Sequence, residues 1–280
     1  MNTRIRSLAR EHVPYAGVFA HGMGQSMVFA MLPALGREVG FAEVAIGTIV
    51  SMSSLVFFLG SRAWGRISDR WGRKPVILCG LWGYSIGTLA FALLFGLGIY
   101  GVLGGTLLYG LIMGTRMAQA VVMSGTAPGT SAYIADITTP VTPASGMGRL
   151  AAATNIGSIM GPAFAGLLAA FSLLLPLVFA ALVAGAAALL IHRLLPHRQV
   201  LPPSHHAGTK LRLFDPRFAA CLALGMAVFT GFSIVQQTLA FRIQDTLLLD
   251  GRHTAQTYGF TVMLNAAAAL LAQAILVQRV

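Results

Sequence analysis

Apolar residues in this chain fall in long runs, without the periodic apolar stripe of a soluble helix or strand. A helix needs about 20 mostly apolar residues to cross a bilayer. Eight such runs are present, at 14–35, 46–64, 76–97, 106–134, 148–170, 173–195, 218–240 and 257–277. The fourth is uneven, because SGTAPGTS (Ser124–Ser131) interrupts its second half. Glycine, proline and small residues are tolerated in a membrane helix where a neighbour approaches closely. The stretch PHRQVLPPSHHAGTKLRLFDPR, residues 196–217, has no apolar period. The pattern predicts an all-α membrane protein: a six-helix bundle over 1–195, a polar linker over 196–217, and two further helices over 218–280.

Composition agrees with lipid as the solvent. Only 10% of the residues are charged, whereas a soluble domain uses roughly 25%. Mean hydropathy is +0.76. A net charge of +11 would suit nucleic acid, but the basic residues stand in short blocks between apolar runs, as they do in cytoplasmic loops of membrane proteins. The expected partner is a lipid bilayer, with no nucleic acid. With the N-terminus inside, the inner segments hold Arg4, Arg6, Arg10, Arg62, Arg66, Arg70, Arg73, Lys74, Arg149, Arg193, Arg198, Lys210, Arg212, Arg217 and Arg279. The outer segments hold only Arg37, Arg242 and Arg252. This places both termini in the cytoplasm of a multi-pass inner (plasma) membrane protein. The first run resembles a signal peptide at its basic start, but it continues to Leu35 without a small-residue cleavage site and reads as a retained helix.

Chemistry-bearing patterns are few. Cys79 and Cys221 lie within apolar runs and read as small core residues. His197, His205 and His206 read as part of a solvated linker, so no metal or cofactor is expected. Gly96–Gly101, GLGIYG, satisfies G-x-G-x-x-G but has neither the preceding strand nor the acidic residue of a dinucleotide site. No nucleophile–base pair is evident, so no enzyme is expected.

The stretch GRISDRWGRKP, Gly65–Pro75, lies between the second and third runs. Gly65 and Gly72 permit a tight turn. Asp69 can accept hydrogen bonds from arginines or from a helix N-terminus. Arg116, inside the fourth run, is costly in a membrane and marks a functional site by default; Gln119 is three residues on. His21 and Gln25, one turn apart in the first run, share a face. In the fifth run, Gly148, Gly157, Gly161 and Pro162 form G-x8-G-x3-G-P, followed by Ala165 and Gly166. Such spacing strips one helix face for close packing, while Pro162 bends the helix.

These motifs together resemble the major facilitator superfamily. Gly65, Asp69, Arg70, Gly72, Arg73 and Lys74 match its signature loop G-x-x-x-D-R-x-G-R-[KR]. Arg116 and Gln119 match R-x-x-Q-G, with Ala120 in place of glycine. The fifth run resembles the antiporter motif of the drug:proton exporters, with Ala165 where that motif carries glycine. The resemblance implies that Asp69 latches the cytoplasmic face against a second-half helix, that helix one lines a central cavity, and that Arg116 couples proton movement or meets substrate. It implies proton-coupled export of a small amphiphilic molecule by alternating access, with protons as the coupling ion. The alternatives are a metabolite uniporter or importer of the same fold, and a truncated, non-transporting membrane protein. The cores of the first six helices hold no carboxylate, although that branch often carries one; His21 is the obvious titratable substitute there. By the family pattern the chain holds the first half and two helices of the second.

Reporter fusions after Arg37 and after Arg73 are expected to lie on opposite sides of the membrane. Same-side labelling in a topology assay would contradict the orientation.

Overall fold

The structure is a computed structural model that describes residues 3–137, 143–195 and 216–277. Its regular elements are helices: α1 (Thr3–Glu38), α2 (Glu43–Trp71), α3 (Arg73–Ile99), α4 (Gly105–Met123), α5 (Thr126–Ile137), α6 (Pro143–Ala169), α7 (Leu175–Leu194), α8 (Pro216–Leu247) and α9 (Gly251–Val277). The fourth predicted run is α4 and α5 together, broken at Ser124–Gly125, so the nine helices among the described residues cover the eight predicted runs. Counting α4–α5 as one, seven are long and apolar enough to cross a membrane; α9 is helical over the eighth run. Residues 196–215 of the predicted linker, with its histidines, lie outside the described residues.

The chain is an all-α, multi-pass membrane bundle. Large apolar side chains cover its outside: on α2, Phe58 and Leu59 are 61% and 59% exposed, and on α8 Leu224, Met226 and Val228 are exposed as well. In water a continuous apolar surface of this kind would drive aggregation; in hydrocarbon it is already solvated, and only the polar backbone must be satisfied internally. Cys79 belongs to this outer face of α3. That corrects the expectation of a core cysteine: an apolar run in a membrane helix says nothing about which face turns to lipid.

α1 is the central element. Met23, Met27, Met31 and Leu35 are buried against Phe91 and Phe95 of α3, Leu108 and Ile112 of α4, and Ala165 and Ala169 of α6. α8 and α9 join this cluster through Ala240, Ala255, Tyr258 and Val262, at the end of the bundle where α1 finishes. Arg37 ties the same end together. Its Nη1 donates to Asp245 of α8 at 2.7 Å, Nη2 donates to Glu43 of α2, and the guanidinium lies 5.0 Å from the centre of the Phe241 ring. Asp250 caps α9: its Oδ1 accepts the His253 backbone N–H at 2.8 Å. That bond, with the His253 side chain, holds the Asp250 carboxyl below its ordinary range.

The break between α4 and α5 frees a carbonyl. The Gly125 N–H bonds to Val122 O at 3.4 Å, so Val121 O loses its regular helical donor. Two side chains replace it: Trp64 Nε1 of α2 donates at 2.6 Å and Ser124 Oγ at 2.8 Å. Either donor alone satisfies the carbonyl. Trp64→Phe or Ser124→Ala is therefore expected to cost only about 1 kcal/mol. The double variant, which orphans the carbonyl, should lose more than the sum of the two. Thermal unfolding in detergent checks this; simple additivity would mean the break is held otherwise.

Candidate functional site

The signature stretch forms the α2–α3 junction. Gly72, at φ 94°, is the single residue between the helices, a backbone conformation that favours glycine. Gly65 lies within α2, where an added Cβ would meet nothing within 4 Å, so it is not part of the turn. Arg70 is exposed in the last turn of α2, where a cation suits the helix C-terminus. Arg73 is the hub. Its Nη1 bonds Asp69 at 2.5 Å and Ser68 Oγ at 3.2 Å, and its Nε bonds Asp136 at 3.1 Å. The turn is thereby joined to the end of α5. Lys74 reaches across to α7, where Nζ donates to the carbonyls of His192 at 2.8 Å and Leu195 at 2.5 Å. This caps the C-terminus of that helix. Asp69 is thus held by Arg73, one turn away, within the first six helices.

A second group lies inside the bundle. Arg116 is 1% exposed. Its Nη1 donates to Gln119 Oε1 at 2.6 Å, and Gln119 Nε2 donates to Tyr84 O at 3.0 Å and Thr88 Oγ1 at 2.7 Å. The rings of Phe29 and Phe91 each have their centres 5.8 Å from the guanidinium carbon. His21, Gln25 and Phe29, four residues apart, form one face of α1. The His21 ring stacks on Phe57 at 6.4 Å and meets Tyr84 edge-on at 5.4 Å. Gly24 admits Tyr84, since a Cβ there would lie 2.5 Å from its hydroxyl. Arg116 Nη2, His21 Nδ1 and Gln25 Oε1 are buried without hydrogen-bond partners. The structure therefore brings Arg116, Gln119, His21 and Gln25 into one region, apart from the α2–α3 junction.

The glycine motif of α6 serves two seams. Cβ atoms at Gly157 and Gly161 would meet α1 backbone, at 2.4 Å from Phe19 O and 2.5 Å from Met23 O. Gly166 faces α9 at Gly259, where a Cβ would come 2.5 Å from Pro162 O and 3.0 Å from Gly166 Cα. Gly148 meets nothing within 4 Å and is exposed, so it lies outside both seams.

Residues 15–280 match the Major Facilitator Superfamily. The chain belongs to this family. It is 32% identical over 173 residues to Multidrug resistance protein 1 of Bacillus subtilis, covering 62% of this chain and 41% of that protein. It is 29% identical over 225 residues to Tetracycline resistance protein, class C, of Escherichia coli, covering 76% and 52%. To Quinolone resistance protein NorA of Staphylococcus aureus it is 28% identical over 168 residues, covering 60% and 40%. The chain thus spans about half or less of the length of these facilitator relatives.

Sequence reasoning missed Tyr84, Thr88, Phe29 and Phe91 around Arg116. A signal existed in CGLWGYSIGTLAF: Gly80, Gly83 and Gly87 mark the α3 face against which Thr126, Val122 and Gln119 pack. Tyr84 and Thr88 follow at helical spacing. The pairing of Arg37 with Asp245 had no local signal, since the two lie 208 residues apart.

Gly161→Leu is expected to destabilise the facilitator bundle by about 1–3 kcal/mol or more, because the backbone of α1 cannot yield easily. Gly148→Leu should be tolerated. Equal loss of thermal stability in the two variants would refute the seam.

Proposed function

We propose that this chain belongs to a secondary transporter that exports small amphiphilic molecules by alternating access, with the N-terminus and C-terminus on the cytoplasmic side of the bacterial inner membrane. Two units are proposed, residues 1–195 and 218–280, joined by the linker 196–217. Family membership supports transport over covalent chemistry. The names of its relatives, which denote multidrug, tetracycline and quinolone resistance, support efflux. The observation that carries the reading is Arg116: a cation sealed inside a lipid-exposed bundle, held by Gln119, is costly and unnecessary for a scaffold.

In this reading His21, Gln25, Arg116 and Gln119 belong to the transport path. Gly65, Asp69, Arg70, Gly72, Arg73 and Lys74 belong to the conformational loop, and Gly148, Gly157, Gly161, Pro162 and Gly166 to the helix-packing motif. Arg37 and Asp245 close the outer end, because their ion pair joins the six-helix unit to α8. Protons are the proposed coupling ion, with His21 the titratable group in the path. A second reading, a metabolite uniporter or importer, is favoured by the lack of any carboxylate within the cores of the first six crossings.

The test is export of tetracycline and a quinolone from membrane vesicles containing the protein, with and without a proton gradient. Saturable export that collapses when the gradient is removed is expected. Arg116→Ala should abolish it with insertion intact, and Arg116→Lys should fail almost as badly, because lysine lacks the planar fork of donors. Full export by Arg116→Ala would remove the residue from the path. Export that ignores the gradient would favour uniport.

A further inference from the structure

Arg116 puts a positive charge inside the bundle, and the chain offers it no negative one. The eight acidic residues stand at positions 11, 38, 43, 69, 136, 215, 245 and 250. Seven of these lie at or beyond the ends of the described membrane-crossing segments, and Asp215 falls outside the described residues. An arginine cannot discard its proton to escape the cost of burial. Its neighbours do not neutralise it either. Gln119 contributes one carbonyl dipole to Nη1 at 2.6 Å, and its own amide is already committed to Tyr84 O and Thr88 Oγ1. The faces of Phe29 and Phe91, both at 5.8 Å, attract a cation by about 0.5–2 kcal/mol, well short of a counter-ion. Nη2, the other arm of the fork, is buried with no partner.

A guanidinium with one arm fixed and the other vacant suits an oxyanion, which forms short charge-assisted bonds with it. The flanking rings suit an aromatic body. The same face of α1 carries His21 Nδ1 and Gln25 Oε1, also buried without partners. We propose that Arg116 Nη2 recognises an acidic group on the transported molecule, and that the substrate class is a lipophilic aromatic monoanion such as an aryl carboxylate. This rests on the reading of the chain as an exporter of small amphiphiles, and it specifies their charge. Nη2 is closed to solvent in this conformation, so capture requires the helices around it to part, as alternating access demands.

The test is equilibrium binding of 1-naphthoate and 1-naphthamide to the purified chain in detergent at neutral pH, by calorimetry at fixed ionic strength. The two probes share a ring system and differ in charge. Naphthoate is expected to bind at least about tenfold more tightly. Arg116→Gln should bring its affinity down to that of the amide. Equal binding of the two probes, absence of naphthoate binding, or a preference that survives Arg116→Gln overturns the proposal. Should the glutamine variant not fold, Arg116→Lys must weaken the preference severalfold, because a point charge replaces an oriented fork; an unchanged preference overturns the proposal equally. The binding assay needs no flux. A protein that prefers naphthoate yet exports nothing would count against the transport reading alone.

Discussion

The arrangement of the interior depends on the close approach of α1 and α6. Gly157 and Gly161 present no side chains, so the α1 backbone at Phe19 and Met23 comes within a distance that a single Cβ would forbid. Membrane helices gain no hydrophobic drive from meeting one another, so such contacts rest on van der Waals packing and backbone proximity. The seam runs along the side of α1 that carries Gly22, where a Cβ would come 2.8 Å from Thr154 O of α6. His21, Gln25 and Phe29 form a separate face of the same helix. Fixing α1 against α6 sets the rotation that brings this face to Tyr84 of α3 and Arg116 of α4. Tyr84 and Arg116 meet α1 there because that rotation is set elsewhere.

Much of this was legible in one dimension. A crossing is a local property of about 20 residues, and every predicted run became helix, including the uneven fourth, whose Ser124–Gly125 break falls inside the small-residue stretch. The contact of Arg116 with Gln119 was equally local, since residues three apart share a helix face. Legibility ended where partners come from different helices. The run containing Cys79 is apolar all round, and no period shows which side meets lipid. Gly148 fits the glycine spacing, yet no helix approaches it. Arg37 counted as a stray basic residue on the outer side, and only the fold supplied Asp245.

The basic residues of the α2–α3 junction show that a topological marker can also be a structural part. Lys74 contributes to the charge asymmetry, and its ammonium bonds the last carbonyls of α7. Arg73 contributes equally, and it joins the turn to α5 through Asp136. Exposed ion pairs of this kind are worth only about 0.2–1 kcal/mol each. The Arg37–Asp245 pair has the same character at the opposite end, with the difference that it joins α1 to α8. The close backbone contacts are the glycine seams; the ionic ones are partly exposed and sit at the two ends.

The interior also separates two kinds of polar group. In hydrocarbon an unpaired donor or acceptor is expensive, and the fold is strict about most of them. Val121 O, released by the helix break, receives two donors. Gln119 has its oxygen and its nitrogen both engaged. A bundle able to over-satisfy a backbone carbonyl is not poorly packed. Yet Arg116 Nη2, His21 Nδ1 and Gln25 Oε1 stay unpaired in one neighbourhood, flanked by aromatic rings. Among the described residues Thr126 Oγ1 and Gln244 Oε1 are also buried without a partner, elsewhere in the bundle, but Tyr84 Oη joins Arg116 Nη2, His21 Nδ1 and Gln25 Oε1 in this neighbourhood. The concentration of such atoms around a buried cation is what the proposed ligand site accounts for.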